Sequence, residues 1–455
     1  MITINNQILT LKNQKVSVLG SGISGYHAAV LAASFGAKVL LSDAREIKFT
    51  PQQRELLKKQ GILVEEKGHS AEVFTADFVI KSPGIPNSGS IIKNIKNQDI
   101  PIIGEIEFAY QLLQTDNIIA VTGSNGKTTT TTMISEFLKN TQRRVFCGGN
   151  IGHPLSRIIY EEEIQDDDIV VLELSSFQLE DIYSFRPAVA VLLNISNDHM
   201  DRYANSMERY RQAKLRIASN QTEENYFIYY GDDKQLSQNL PKGVNAIPFY
   251  LSNENSGIYL KNDTLIYNGH PFLNTGELNI RGTHNYLNLM AALHVCRIFG
   301  LEAEELEASV KRFKTPEHRL EFVEVINGVA YYNDSKATNI DAVKMALTAF
   351  EKPIILILGG RDKNSDFSLL NRDILAKVKQ LFLTGEAAEK IQGQLDKRIK
   401  SVIVKDFEAA VNRARENAGA GDIILLSPAC ASFDAFKNFE ERGRYFKKIV
   451  RGFNT

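Results

Sequence analysis

Three α/β domains built on parallel sheets are what this sequence predicts, and three observations predict them. Short apolar runs of strand type alternate with segments of helical period along almost the whole chain, the rhythm of strand–helix–strand units. Two glycine-rich loops each stand between a strand and a helix. At about 150 residues per domain, a chain of 455 residues calls for roughly three cores rather than one oversized core. The first pattern closes near Pro101 to Gly104, where a helix (Ile106 to Leu113) leads into a new strand. A helical stretch from Ala303 to Phe313 is stopped at Thr315-Pro316, where the third pattern begins. The expected domains are therefore 1–103, 104–314 and 315–455, with a hinge near Lys314 to Pro316. Between Asn220 and Gly276 the pattern weakens into strand-like pieces with Asn and Gly turns, read as a small β extension of the central domain.

Composition excludes several classes. With 43% hydrophobic and 24% charged residues, the chain is neither disordered nor fibrous. Lys plus Arg (53) balance Asp plus Glu (54), so a nucleic-acid partner is not expected. Cys147, Cys296 and Cys430 lie far apart, which offers neither metal spacing nor a disulfide framework and fits a reducing compartment. The N-terminus lacks a charged start followed by an apolar core. The longest apolar runs, such as Pro353 to Leu358, are far too short for a membrane span. A cytoplasmic protein is expected.

The strand Val16 to Leu19 runs into Gly20-Ser21-Gly22-Ile23-Ser24-Gly25, and Ala28, Ala29, Leu31, Ala32 and Phe35 continue at helical spacing. This is G-x-G-x-x-G in a strand–turn–helix setting. Two glycines let the backbone approach a diphosphate, and the third lets the helix pack on the strand. The next strand, Lys38 to Ser42, ends at Asp43, placed for a ribose or sugar hydroxyl. A nicotinamide dinucleotide is the obvious ligand, but the motif alone does not choose the nucleotide.

The strand Asn117 to Val121 leads to Thr122-Gly123-Ser124-Asn125-Gly126-Lys127-Thr128-Thr129, then to a helix with Met133, Ile134, Phe137 and Leu138 on one face. Gly-Lys-Thr at this turn is a phosphate loop. Backbone N–H groups cradle phosphates, Lys127 supplies a cation and Thr128 a ligand for Mg²⁺. The usual first glycine is replaced by Val121, so the loop is a short G-x-x-G-K-T form. Five threonines, Thr128 to Thr132, are poor helix formers and argue for function over propensity. The strand Ile169 to Leu172 ends at Glu173, in the position of a Mg²⁺-binding acid. The strand Ala190 to Ile195 is followed by Asp198-His199, where His199 suits a metal or a turn cap. His284, Asn285 and Asn288 share one helical turn after Gly282-Thr283. In the third domain Val329 to Asn333, Ile354 to Leu358, Leu381 to Leu383 and Ile423 to Leu426 read as strands with polar groups at their ends.

Further segments are individually unusual. They are Glu173-Leu174-Ser175-Ser176-Phe177-Gln178, Asn197 to Tyr203, Tyr210-Arg211-Gln212-Ala213-Lys214, Gly282-Thr283-His284-Asn285, Glu317-His318-Arg319, Asn333 to Asn339, and Ser427 to Asp434 with Phe436 to Phe439. The series resembles the Mur ligase family of peptidoglycan synthesis, from the first glycine loop to the C-terminal helix. The C-terminal stretch looks like the branch that adds D-glutamate to UDP-N-acetylmuramoyl-L-alanine. That resemblance implies Rossmann-like first and third domains around a phosphate-loop ATPase-like centre. It turns the first loop into a UDP-sugar site, with Gly20, Gly22, Ser24 and Gly25 at the diphosphate, Asp43 and Arg45 at the uridine side, Ser82-Pro83-Gly84 against it, and Asn150 at the muramoyl-alanine end. Ala44 stands between the two uridine residues and brings no hydroxyl.

The resemblance also implies ATP and probes its site residue by residue. Gly123, Ser124, Asn125, Gly126, Lys127, Thr128 and Thr129 would hold phosphates. Asn285 and Asn288 would line the adenine side, and Arg319, Asp334 and Lys336 would reach ATP from the third domain. Two Mg²⁺ ions are implied, one on Thr128 and Glu173, the other on His199 with Lys214, the lysine carbamylated by CO₂. As a bare sequence feature, Lys214 is a surface lysine on a helix from Tyr210 to Ala218. Thr338, Lys363, Ser432, Phe433 and Phe439 would hold D-glutamate. A monomeric enzyme acting on small molecules is expected. The rivals are a nicotinamide-dependent oxidoreductase, a regulatory ATPase and a related ligase for another amino acid.

Overall fold

The computed structural model describes every residue except 1, 5–6, 201, 252–253, 255–256, 281, 351–352 and 455. Asp201, within one of the quoted segments, therefore lies outside the described residues. The chain divides into two compact units. One comprises Met1–Ile195, Ser206–Tyr250 and Ala291–Leu306, the other Ser196–Asn205, Leu251–Met290 and Glu307–Thr455.

The first unit holds two parallel sheets. In one, β1 (Lys15–Leu19), β2 (Lys38–Ser42), β3 (Leu63–Glu65), β4 (Phe78–Lys81) and β5 (Ile102–Gly104) pair in the order β3-β2-β1-β4-β5. The helix α1 (Ile23–Ser34) follows β1. The helix α2 (Glu105–Tyr110) is shorter than the expected Ile106 to Leu113, because the chain turns at Leu112 and Leu113. The second sheet holds β6 (Ile118–Thr122), β7 (Val145–Gly149), β8 (Ile169–Glu173), β9 (Val189–Leu192), β10 (Tyr226–Tyr230) and β11 (Asn245–Phe249), ordered β11-β10-β9-β6-β8-β7 and all parallel. Its central strands are buried along their whole length, which is why they read as unbroken apolar runs rather than alternating ones. The two sheets share one apolar core, in which Val16, Ala28 and Ile80 are continuous with Ile106, Phe108, Leu155 and Val170.

The segment from Asn220 to Gly276 splits. Its first part supplies β10 and β11, which extend the parallel sheet itself. Its second part, in the other unit, forms an antiparallel meander of β12 (Ile258–Lys261), β13 (Thr264–Tyr267) and β14 (His270–Asn274). The same unit carries β15 (Glu321–Ile326), β16 (Val329–Asn333), β17 (Ile354–Gly359), β18 (Val378–Thr384), β19 (Ser401–Ile403) and β20 (Ile423–Leu426), ordered β15-β16-β20-β17-β18-β19 with only β15 antiparallel. Apolar helices cover both faces of this sheet, giving separate cores around Val343, Leu347 and Ile391 and around Val411, Phe446 and Val450. All three large sheets are thus parallel α/β sheets as the alternating pattern predicts, the third with one antiparallel edge strand. No helix among the described residues is long and apolar enough to cross a membrane.

Candidate active site

The first glycine loop makes the reverse turn that its composition requires. Gly20 takes φ +89°, a conformation L side chains rarely adopt. A Cβ at Gly25 would lie 1.8 Å from the Gly20 carbonyl oxygen, so α1 can pack on the loop only with glycine there. Asp43 at the end of β2 braces this turn. Its Oδ2 accepts from the Ser21 N–H and hydroxyl, both at 2.8 Å, and its Oδ1 accepts from the Arg45 N–H at 2.9 Å. Burial pushes the Asp43 carboxyl up, but these donors and the Arg45 guanidinium outweigh it and hold the group below its usual range. Ser82 donates to the Gly20 carbonyl at 3.2 Å, joining the loop after β4 to the glycine turn.

A cavity of about 850 Å³ opens over this turn. Gly20, Gly22, Ser24, Asp43, Arg45, Ser82, Pro83, Gly84 and Asn150 all line it, while Gly25 lies beneath, in the packing. Sequence reasoning missed His69, Phe177 and Gln178 in its wall. The last two stood in a quoted segment without a role. The wall is braced from below by the Lys81 ammonium, 2.7 Å from Asp181 Oδ2 and fully buried, which also donates to the Ile85 carbonyl at 2.8 Å.

The phosphate loop begins at Gly123 because β6 runs on through Thr122, which places Val121 inside the sheet. Gly123 and Gly126 take φ +154° and +85°. Gly126 opens α3 (Lys127–Leu138), whose N-terminus suits anionic oxygens. Lys127 Nζ donates back to the Gly123 and Ser124 carbonyls at 2.8 and 2.9 Å. Asn194, just past β9, clamps the loop: it accepts from the Asn125 N–H at 2.9 Å and donates to the Asn125 carbonyl at 3.0 Å. Asn194 was read only as a strand residue, and nothing in its spacing distinguishes it. Thr129 is buried in the first turn of α3.

Glu173 joins the phosphate loop to the cavity. Its Oε2 accepts from the Thr128 hydroxyl at 2.7 Å and its Oε1 from the Asn150 amide at 2.8 Å. The Thr128–Glu173 pair offers hard oxygen donors of the kind Mg²⁺ takes beside phosphate. Lys214, on a helix over Met207–Leu215, is 1% exposed, so it is no surface lysine. Its Nζ donates to the Gly123 carbonyl at 2.8 Å and stands 4.6 Å from the Tyr210 ring centroid. Tyr210 in turn meets the Ser124 hydroxyl at 3.1 Å. The helix is as long as expected but starts and ends earlier in the chain, giving way to a 3₁₀ turn at Arg216–Ala218.

The remaining candidates lie in the second unit. His199 takes φ +52°, and its Nε2 lies 3.6 Å from Asp198 Oδ2. Lys363 Nζ lies 3.7 Å from Asp198 Oδ1, so one carboxylate gathers both. Asn285 and Asn288 are buried, with a 3.4 Å contact between them. Asn285 lines a pocket of about 270 Å³ with Phe322 and Tyr332, and Asn288 does not. Asp334 Oδ2 accepts from Ser427 at 2.9 Å and Oδ1 from the Leu320 N–H at 3.1 Å. Burial pushes its carboxyl up to about 7 against these donors and the charges of Arg319 and Arg442. Lys336 Nζ sits 3.7 Å over the Phe439 ring, a cation–π contact, and Phe439 meets His318 edge-on. Thr338 is half-buried and Ser432 buried, whereas Phe433 is 60% exposed. Arg442 escaped sequence reasoning because it sits in a helix rich in charge. It is buried and donates to the Ser335 hydroxyl at 3.0 Å and to the Ser335 and Cys430 carbonyls at 2.8 and 3.1 Å. Among the described residues no cluster of three His, Cys, Asp or Glu side chains forms a ready metal centre.

Three family models match the chain: a MurD N-terminal domain over residues 15–91, a Mur ligase middle domain over 121–296, and a Mur ligase glutamate ligase domain over 318–430. The chain is 40% identical over 451 residues to the UDP-N-acetylmuramoylalanine–D-glutamate ligase of Acidobacterium capsulatum, covering 97% of each chain. It is 39% identical over 454 residues to the protein of the same name from Thermoanaerobacter sp. (strain X514), covering 97% of this chain and 99% of that one. Among solved structures, the fold is similar to the UDP-N-acetylmuramate–alanine ligase MurC of Thermotoga maritima (TM-score 0.59, 20% identity, 97% and 100% covered). It is also similar to the MurF ligase of Thermotoga maritima in complex with ADP (TM-score 0.60, 17% identity, 98% and 100% covered).

Proposed function

The chain belongs to the Mur ligase family, and on that premise we propose the reaction, the ligands and the role of each site residue. It is an ATP-dependent ligase that adds D-glutamate to UDP-N-acetylmuramoyl-L-alanine in peptidoglycan precursor synthesis. The observation that carries this is identity of 38–40% to D-glutamate ligases over nearly the full length, with an N-terminal domain of that branch. The same match replaces the dinucleotide reading of the first loop.

Amide formation from a carboxylate and an amine is slow because the carboxylate is a poor electrophile. Transfer of the ATP γ-phosphoryl group to that carboxylate gives an acyl phosphate. The D-glutamate amine then attacks its carbonyl carbon, a tetrahedral intermediate forms, and phosphate leaves with the electron pair of the broken C–O bond. The protein must hold the anions in line, stabilise developing charge and exclude water.

The cavity over Gly20, Gly22 and Ser24 is assigned to the UDP-sugar, with Asp43 and Arg45 at the uridine side and Asn150 at the muramoyl-alanine end. Lys127 swings from the loop carbonyls onto the β- and γ-phosphates. Thr128 and Glu173 would hold Mg²⁺, which when bound would neutralise phosphate charge, and their adjacency supports that assignment. His199 would hold a second ion. Lys214 is proposed to react as the neutral amine with CO₂, forming an N–C bond and losing one proton. The ammonium first gives up a proton to become that amine, so the whole conversion to the carbamate releases two protons and would leave an anion facing the phosphate loop. Its burial beside Gly123 and Tyr210 supports a functional rather than a solvated lysine. Asn285, Asn288, Arg319, Asp334 and Lys336 are assigned to ATP, and Thr338, Lys363, Ser432, Phe433 and Phe439 to D-glutamate. The domains are placed at 1–103, 104–314 and 315–455, in a monomeric cytoplasmic enzyme. The test is phosphate release from purified protein. Release is expected only when ATP, Mg²⁺, UDP-N-acetylmuramoyl-L-alanine and D-glutamate are all present. Equal release from ATP alone would make the protein an ATPase and overturn the assignment.

A further inference from the structure

At the carboxyl edge of β2 and β3, the residues meant for the uridine leave one task undone. Asp43 Oδ2 already accepts from the Ser21 N–H and hydroxyl and its Oδ1 from the Arg45 N–H, which turns the carboxylate toward the glycine loop, Ala44 offers a methyl group, and the Arg45 side chain can only donate. A uracil ring presents a donor, N3–H, between two carbonyl acceptors, so the wall needs an acceptor there.

His69 is in place to supply it. The chain at Lys67 and Gly68 is hydrogen-bonded to the carbonyls of Arg45 and Asp43, at 3.2 and 3.3 Å, which lays His69 alongside the uridine end, and the ring lines the cavity. Ser42, fully buried at the end of β2, decides how that ring is protonated. Its Oγ lies 2.5 Å from Glu65 Oε1 and 2.6 Å from His69 Nδ1. A hydroxyl has one proton, and an ionised carboxylate can only accept. Ser42 therefore donates to Glu65, and its lone pair accepts from Nδ1–H. In the neutral imidazole this leaves Nε2 with a bare lone pair. Glu65 is held ionised: burial pushes it up, but the hydrogen bonds from Ser42 and Ser70 outweigh it and hold it below its usual range. Two of the three side chains of this relay stand on adjacent strands, where Ser42 and Glu65 are register partners, and His69 follows in the loop.

We propose that His69, held by Ser42 and Glu65 with Nε2 as acceptor, reads the uracil N3–H and sets nucleobase specificity. This rests on the UDP-sugar assignment of the cavity. A site built to bond a donor rejects an analogue lacking it, because the site group is then left unpaired.

The experiment compares binding of UDP with that of 3-methyluridine 5′-diphosphate, in which the N3 proton is replaced, by calorimetry on the full-length protein. The wild type is expected to bind UDP at least about tenfold more tightly. His69→Ala should weaken UDP binding and shrink that ratio to within about twofold, because it removes the acceptor and makes room for the methyl group. His69→Gln, which keeps an acceptor oxygen, should retain part of the preference. In turnover, the His69→Ala effect should fall on KM for UDP-N-acetylmuramoyl-L-alanine rather than on kcat. Equal binding of the two nucleotides by a wild type that turns over, or a full methyl penalty retained in His69→Ala, would overturn the role of His69 and leave the ligase function intact. Failure of the wild type to turn over would instead sink the function on which the inference rests.

Discussion

Lys127 now spends its ammonium on two loop carbonyls, and a triphosphate would compete for the same cation. Lys127→Ala should therefore lower acyl-phosphate formation by at least about a thousandfold, measured by trapping the intermediate, and near-normal turnover would refute the phosphate-loop role. Lys214→Ala should lose activity and regain part of it with short carboxylates, which replace the carbamate. Full activity without rescue would refute the carbamate. The histidines give a pH prediction. Burial lowers His284 and His294 from 6.5 to about 4, each with a nearby arginine adding to the effect, and His27 falls equally, again by burial first. Between about pH 6.5 and 4 the unfolded chain binds these protons and the native state does not, so stability falls as pH falls. Asp334, raised from 3.8 to about 7, acts with the opposite sign and offsets only part. Urea midpoints at pH 7 and pH 5 should show a loss at pH 5 that is smaller in His294→Leu, and equal losses in both proteins would contradict this. Lys127 and Glu173 were picked out as candidates because chemistry fixes their type at a strand end or in the loop that follows it. Asn194 and Arg442 were not, since an amide after a strand and an arginine in a charged helix have many uses, and only tertiary contacts choose among them.

The helices and strands show the same division. Gly25 lets α1 approach the Gly20 carbonyl, where a methyl group has no room. Gly25→Ala should destabilise the protein by more than about 2 kcal/mol and weaken UDP binding in the same calorimetric assay. An unchanged unfolding midpoint would show that α1 can shift without cost. This glycine was readable because backbone approach leaves a spaced motif. The fully buried strands were readable as well, because parallel sheets covered on both faces need continuous apolar runs. The segment from Asn220 to Gly276 was legible as β structure but not in how its strands divide between the parallel sheet and a separate antiparallel meander. β10 and β11 carry polar and aromatic residues at the sheet's edge, where a half-exposed parallel strand and an antiparallel meander have similar composition. Helix ends erred by a turn at Leu113 and Ala218, where local turns compete closely with helix continuation.

Over the whole molecule, a net charge of -1 leaves no general field to gather three anionic ligands. On the proposed assignments recognition is local: glycine turns and helix N-termini for phosphate oxygens, Lys127 for the triphosphate, Lys363 for a dicarboxylate, and His69 for a nucleobase. The order of the domains along the chain was legible because each opens on its own strand-and-loop signature. What the incoming amino acid must be was legible only through the long, ordered segments of the last third, since Lys363, Thr338 and Ser432 suit many carboxylates. The most direct measurement is therefore phosphate release with ATP, Mg²⁺ and UDP-N-acetylmuramoyl-L-alanine across a panel of D-glutamate, L-glutamate and meso-diaminopimelate. The account predicts turnover with D-glutamate alone, and comparable rates with either of the others would contradict it.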